Sequence, residues 1–412
     1  MKLIIYALNK YVIFVVMMLL LVYPYIIPDI LGLPEAAVID VILACLAVVL
    51  LLTTKNRFFL PNIVVFLIIF ESITWTLFAL YHNDRTYLPR VFFLLMTGIV
   101  LLLLTRSKSL YKFGFIYNGI ICLQGVLGAI AFVLIFVGIL EPIKIFEIGE
   151  RNIYFYGLTS SNTVIGNFVR IGGFFDEPGA LAAWGVFALV INKLVYDNRK
   201  IEILLMISLL FTFSAAYFVI LPLYILFFFF KGGAKKLVVS IFIIVPIIVG
   251  SYYLVKDNEE FLWLTTERFQ DGEIRSARNE YSDNAKRVFK QHVYMGAGGQ
   301  YLEKTFAEHL NDNPFEILAK DGLVGYIVSY LPLFALCFVF RRNKEVLLGS
   351  LLLFICYQQR PFHINEMHFF MILFYTTIVY NKYKGIVAEK EILNNLTNNS
   401  KSDENSSITN MS

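Results

Sequence analysis

Residues 116–140 read IYNGIICLQGVLGAIAFVLIFVGIL, a run of 25 residues without a charged side chain. A helix needs about 20 predominantly apolar residues to cross the hydrocarbon core of a bilayer. Other segments of similar character recur along the chain, at about 11–27, 36–53, 60–80, 88–105, 177–195, 237–255, 321–340, 345–359 and 367–380. The sequence therefore predicts an all-α polytopic membrane protein.

The composition of the 412 residues supports this class. The mean hydropathy is +0.69, and only 16% of the side chains are charged, against roughly a quarter in globular domains. The net charge of +4 is too small to favour a nucleic-acid partner. All four cysteines fall in apolar segments, so neither a disulfide framework nor a metal site is expected: Cys45, Cys122, Cys337 and Cys356.

The run 201–230 decides the number of spans, because its roughly 30 residues fit either one tilted helix or two short helices that turn near Phe213. Two helices place all the clusters of lysine and arginine between spans on one face, as the positive-inside rule requires. We therefore expect about twelve transmembrane helices with both termini cytoplasmic. They form a single membrane domain over 1–384, followed by a disordered, Asn- and Ser-rich tail at 385–412.

In this arrangement two outer loops are long enough to build a site, at 141–176 and at 256–320. Nine of the fourteen arginines lie on the outer face, but only six of the twenty-one lysines do. A guanidinium offers phosphate oxygens a planar fork of donors, whereas a lysine is a point charge. The bias indicates an anionic ligand, although each arginine taken singly can instead pair with an acidic neighbour in the loop.

The segment RIGGFFDEPG at 170–179 leads into the sixth span. Asp176 and Pro178 fit the start of a helix, where the first turn favours acidic residues and proline. Glu177 is a candidate general base for a sugar hydroxyl, with Arg170 holding a phosphate nearby. A second acidic residue, Glu71, lies near the centre of the third span. It is either part of a proton relay or paired with a polar group such as Thr97.

In the late loop, residues 278–291 read as an amphipathic helix whose face of Tyr281, Ala285, Val288 and Phe289 rests on the bilayer or the spans. Gly296 to Gly299 form a turn and not a dinucleotide fingerprint, because no strand precedes them. Further on, Gly322 and Gly325 fit a close-packed helix entry. Three residues ahead of that entry are candidates for contacts with sugar hydroxyls: Asn311, Asp312 and Asn313.

Taken together, these residues resemble the bacterial O-antigen polymerase and O-antigen ligase superfamily of integral-membrane glycosyltransferases. The family's arginine, Gly-Phe and Glu-Pro pattern is similar to Arg170, Gly173-Phe174 and Glu177-Pro178, and its loop arginine before a Gly-x-Gly turn is similar to Arg278. The ligase histidine is absent from its usual spacing, although His309 is two residues away, and Ser214 lacks the arginine that follows it in ligases. These departures favour a polymerase.

The resemblance implies a GT-C-like fold in the bacterial inner membrane, with the large loop in the periplasm. It implies polymerisation of undecaprenyl-diphosphate-linked oligosaccharides into O-antigen or capsular polysaccharide, without a metal or cofactor. A chain-length regulator protein is a candidate partner. Glu177, Arg170 and Arg278 would be catalytic. The further substrate-binding candidates are Arg268, Arg275, His309, Asn311, Asp312, Asn313 and Arg360. The alternatives are an O-antigen ligase, or a flippase or other transporter of lipid-linked oligosaccharides.

Overall fold

The computed structural model describes residues 48–49, 51–52, 59–148, 151–162, 164–165, 168–229, 277–306, 315–359 and 368–385. Within these ranges five helical segments are long and apolar enough to cross a membrane: Asn62–Tyr81, Arg85–Arg106, Leu110–Phe136, Pro178–Tyr196 and Glu316–Val339. The chain is mostly helical, and its long apolar helices agree with the predicted membrane protein.

The helices are numbered along the chain. They are α1 (Asn62–Tyr81), α2 (Leu88–Arg106), α3 (Leu110–Phe136), α4 (Pro178–Ile191), α5 (Arg199–Ser208), α6 (Ala215–Phe229), α7 (Ala277–Gln291), α8 (Gly299–Phe306), α9 (Glu316–Ser329), α10 (Leu331–Val339), α11 (Lys344–Gln359) and α12 (368–385). The strands are β1 (Lys144–Ile148), β2 (Arg151–Phe155), β3 (Ser160–Ser161), β4 (Val164–Ile165) and β5 (Phe168–Val169).

Helix α4 is the centre of the bundle. All of its residues are buried, and it packs against α3, α6 and α11. A helix that is apolar on every side belongs inside other protein. Helix α1 differs, because it exposes Phe66, Ile69 and Ile73 on one side while Val64 and Leu67 are buried on the other. An exposed apolar face of this kind on a membrane-length helix is suited to lipid.

The run 201–230 forms two helices, as predicted. The 3₁₀ turn Leu209–Thr212 follows α5, and the chain reverses at Phe213, whose φ is +46°. Tyr217 donates a hydrogen bond to the Met206 carbonyl (3.0 Å), and Tyr224 donates one to Oε1 of Glu202 (2.6 Å). These pairs are spaced evenly about the turn, so α6 runs back along α5.

The prediction of an all-helical chain is wrong for part of the loop at 141–176. Strands β1, β2 and β3 form an antiparallel sheet in that order, and β4 pairs with β5. Residues 144–148 read Lys-Ile-Phe-Glu-Ile, so a charged and an apolar side chain flank Phe146 on each side. A Gly-Glu pair follows at 149–150, before the next short strand. This alternation is a hairpin signal that the search for apolar spans overlooked.

The bundle has two chemically different ends. At one end, which we call the basic end, Tyr196 donates to the Tyr111 carbonyl (2.6 Å) and Lys382 donates to the Val195 carbonyl (2.7 Å). The helix ends and turns here carry the basic residues Arg106, Lys108, Lys112, Lys193, Arg199, Lys200, Arg341, Arg342, Lys344, Lys382 and Lys384. The opposite end, called the loop end, holds the α1–α2 turn, the strands and residues 292–322.

Candidate functional site

At the loop end, the turn between α1 and α2 binds the segment that follows α7. Asp84 accepts hydrogen bonds from the Thr86 amide through Oδ1 (2.8 Å) and from the Gln300 amide through Oδ2 (2.9 Å). His82 donates from Nε2 to the Met295 carbonyl (3.0 Å). Two residues more than 200 positions away in sequence are thus held by one six-residue turn.

The charge of Asp84 is stabilised by these contacts. Burial would raise its pKa, but the amides of Gln300 and Thr86 and the positive charge of Lys320 outweigh burial, so the pKa of Asp84 lies below its usual value. Asp84 is therefore ionised at neutral pH and acts as a fixed anchor for residues 295–300.

Glycines allow residues 293–298 to pack closely against the backbone of residues 319–324 at the start of α9, a contact we call the interlock. Gly298 donates from its amide to the Lys320 carbonyl (2.9 Å), and Leu323 donates to the Val293 carbonyl (2.8 Å). Gly296 and Gly322 both have positive φ, at +69° and +65°. A Cβ on Gly296 would lie 2.2 Å from the Lys320 carbonyl oxygen, so the two backbones meet at a distance that only glycine permits. The predicted turn at 296–299 and the predicted close-packed helix entry are both confirmed.

Beneath this interlock lies a buried ion pair. Nη1 of Arg90 is 2.7 Å from Oδ2 of Asp321, and the two side chains are 1% and 0% exposed. Tyr87 donates to the other carboxylate oxygen, Oδ1 of Asp321 (2.9 Å). The guanidinium carbon of Arg90 lies 4.4 Å from the ring centre of Trp75 and 4.9 Å from that of Tyr87. The pair therefore links α1, α2 and α9.

The segment 170–177 forms a second arrangement at the loop end. Arg170 donates from Nε to the Thr212 carbonyl (3.2 Å), and the Ile171 amide donates to the Phe211 carbonyl (3.2 Å), which ties the segment to the α5–α6 turn. Ser160 in β3 exchanges backbone hydrogen bonds with Gly172 and Gly173. The segment is thus held between the small sheet and the turn before it enters α4.

Glu177 stands at the start of the central helix. It is the N-cap residue of α4, is 8% exposed, and does not cap the helix with its side chain. Pro178 follows in the first turn, as predicted. Because α4 is buried along its whole length, Glu177 is attached to a helix that is packed on every side.

The helix that carries Arg278 is docked at the same end. In α7, Ala285 and Val288 are buried with Leu302 and Ala319, so the predicted apolar face of this helix rests on α8 and α9. The Arg278 side chain lies outside the described part of the structure, and so do seven predicted site residues: Arg268, Arg275, His309, Asn311, Asp312, Asn313 and Arg360.

The sequence reasoning overlooked the Arg90–Asp321 pair. The sequence feature that could have predicted this pair is an arginine near the start of one span and an aspartate near the start of another. Two opposite charges at similar depth in the membrane are expected to pair. Glu71 is one of several buried charged residues in the described part of the chain, which also include Arg90, Asp321 and Glu202. Glu71 itself is 1% exposed, and its Oε1 has no hydrogen-bond partner, Thr97 included, among the described residues.

Among the described residues no cluster of three or more His, Cys, Asp or Glu side chains is placed to hold a metal ion. Comparison of the chain with family models, curated proteins and solved structures found no match.

Proposed function

We propose that this chain polymerises undecaprenyl-diphosphate-linked oligosaccharide repeat units at the outer face of a bacterial inner membrane. The loop end would face the periplasm and the basic end the cytoplasm, in line with the positive-inside rule. The twelve-span, GT-C-like arrangement and the cytoplasmic termini belong to the same proposal. The products would be O-antigen or capsular polysaccharide, and a chain-length regulator is a possible partner.

One observation carries the proposal. The segment with Arg170 and Glu177 and the helix with Arg278 are about 100 residues apart in sequence, yet both lie at the loop end. A donor with a lipid diphosphate would present its phosphates at this level, where the apolar helices end. Two arginines from separate segments can then meet the two phosphates from different sides.

In the proposed reaction Glu177 takes a proton from a hydroxyl of the acceptor sugar. The resulting oxygen attacks the anomeric carbon of the donor, and the bond from that carbon to the diphosphate oxygen breaks. Arg170 and Arg278 stabilise the negative charge that develops on the departing lipid diphosphate. Fixed positive charge can perform this role without a metal ion.

The test is replacement of each residue in the native strain: Arg170→Ala, Glu177→Gln and Arg278→Ala. Arg287→Ala is the matched control, because Arg287 lies on the same helix as Arg278 and its Nη2 donates only to Asn284 in the next turn back (3.0 Å). At equal protein levels, we expect the first three variants to produce a single capped repeat unit on a polysaccharide gel. Normal long chains from all three would contradict the site.

Glu71 favours a second candidate, a transporter of lipid-linked oligosaccharide. A carboxyl group in the middle of a span is typical of proton-coupled carriers. Glu71→Gln distinguishes the two functions. With Glu71→Gln, a polymerase would keep its chain-length pattern, whereas a transporter would lose all surface polysaccharide. If the protein is a ligase, the Arg170, Glu177 and Arg278 variants would lose all surface polysaccharide as well.

A further inference from the structure

The buried guanidinium of Arg90 has an edge that its ion-pair partner leaves unused. Nη1 contacts Asp321, but Nε and Nη2 are buried and have no hydrogen-bond partner within the described ranges. These two groups form the side-on edge of the guanidinium, where two parallel N–H bonds point in one direction. A buried donor without an acceptor is unfavourable by about 1–3 kcal/mol. A group that supplies two acceptor oxygens at this edge would remove that cost.

The surroundings hold this edge in one orientation. Trp75 and Tyr87 lie against Arg90 with ring centres 4.4 and 4.9 Å from its guanidinium carbon, and Asp321 fixes Nη1. Asp321 is fixed in turn by the Tyr87 hydroxyl. A donor pair whose position is set before binding loses little conformational entropy when a ligand arrives.

We propose that Arg90 binds a phosphate group of a membrane lipid through Nε and Nη2, at a site separate from Arg170 and Arg278. The two parallel donors match two oxygens of one phosphate. Arg90 is the third residue of α2, and Asp321 directly precedes Gly322, whose non-helical backbone interrupts α9, so the pair lies near the ends of two candidate membrane spans. Lipid phosphates lie at this level, and basic pockets between spans recognise them.

The charges around Arg90 determine which kind of phosphate group the site would bind. Asp321 already balances the charge of Arg90, so the edge recognises oxygen geometry more than net charge. Lys320, next to Asp321, interacts electrostatically with Arg90 and with the acidic residues Asp84 and Glu316. Asp84 also accepts hydrogen bonds from the amides of Thr86 and Gln300. A phosphate diester or a lipid diphosphate fits these conditions.

Entry to the site requires movement, because the Arg90 side chain is only 1% exposed. The chain that closes over Asp321 is the short segment 295–300, held by hydrogen bonds to His82, Asp84 and Lys320. Opening of this segment would uncover the backbone of Asp321, the ion-pair partner of Arg90.

The inference rests on the proposed function for one ligand source, the undecaprenyl diphosphate donor. The experiment uses the full chain in detergent and measures adducts by native mass spectrometry with undecaprenyl diphosphate, phosphatidylglycerol or inorganic diphosphate. Arg90→Lys keeps a positive charge beside Asp321 but removes the paired donors. The double variant Arg90→Met/Asp321→Leu removes both charges and leaves no buried ion unpaired. Arg85→Lys, at an exposed arginine in the same turn, is the control.

We expect Arg90→Lys, which can keep one donor, to weaken lipid binding about ten- to hundredfold, and the double variant, which loses both donors, to weaken it further, while Arg85→Lys binds like the original chain. Binding of undecaprenyl diphosphate alone identifies the donor as the ligand, equal binding of phosphatidylglycerol identifies a general headgroup site, and binding of inorganic diphosphate shows that the phosphate suffices. Unchanged binding in both Arg90 variants, or no binding by the original chain, overturns the proposal. Polymerisation is not measured, so the proposed function can fail while this site stands.

Discussion

Replacement of Gly296 by alanine should weaken the docking of residues 292–306 against the start of α9. Gly296 has φ +69°, which costs an alanine about 1–2 kcal/mol. The new Cβ would also lie 2.2 Å from the Lys320 carbonyl oxygen and 2.5 Å from the Asp321 amide nitrogen. Both atoms belong to the backbone, so α9 or the turn must shift, and overpacking of this kind costs about 1–3 kcal/mol more. The expected loss is about 2–5 kcal/mol in the docking of residues 292–306.

Substitutions at two other glycines separate the cost of the positive φ from the cost of the steric clash. Gly138 has a similar φ of +74° with nothing within 4 Å of a Cβ, so Gly138→Ala should cost only the conformational part, about 1–2 kcal/mol. Gly119 lies inside α3 in open space, so Gly119→Ala should be neutral or stabilising by up to about 1 kcal/mol. The measurements are thermal unfolding in detergent and the rate of proteolytic cleavage near 292–306. Equal behaviour of Gly296→Ala and Gly138→Ala in both would refute the close backbone contact.

Three further predictions concern buried polar groups. Arg90→Met should destabilise the fold by about 3–5 kcal/mol because Asp321 stays buried and unpaired, and adding Asp321→Leu should recover most of the loss in thermal unfolding. The depressed pKa of Asp84 contributes stability above its unfolded pKa and loses it as the pH falls through the folded value, so acid should speed cleavage of the docked loop, and Asp84→Asn should abolish that dependence. Tyr224→Phe should cost about 0.5–1.5 kcal/mol in thermal unfolding, because Glu202 Oε1 loses its 2.6 Å donor but keeps Lys193 Nζ at 3.5 Å.

Five of the predicted spans correspond to membrane-length helices in the described residues, because hydrophobic length is a local property of the sequence. The break at Phe213 followed from the positive-inside rule, and the turn at Gly296 followed from glycine spacing. Both are properties of a few neighbouring residues, so they need no knowledge of which helices pack together.

The Arg90–Asp321 pair could not be read in the same way. The two residues are separated by 231 positions, and many acidic residues of the chain are formally equal candidates for Arg90. Only the packing of α1 beside α2 and α9, with Trp75 and Tyr87 between them, selects Asp321. The missed hairpin at 144–155 has a different cause, since its alternating pattern was present in the sequence but lay between two strong apolar signals.

The two parts of the proposed site at the loop end differ in how firmly they are packed. Glu177 is attached to the buried helix α4, whereas Arg278 is carried by α7, which has fewer buried contacts. Glu177 precedes α4, which is buried on all sides, so displacing it would disturb the core of the bundle. Helix α7 is held through a small apolar cluster around Ala285 and Val288, together with the hydrogen bonds of residues 293–300. Local openings involve elements with few buried contacts, so α7 should detach far more readily than α4. If Glu177 and Arg278 act together, docking of α7 completes the site, and Gly296→Ala should lower activity although it changes neither residue. The ion-pair partner of Arg90, Asp321, meets the same segment at Gly296, so lipid binding at Arg90 and docking of α7 would be energetically coupled.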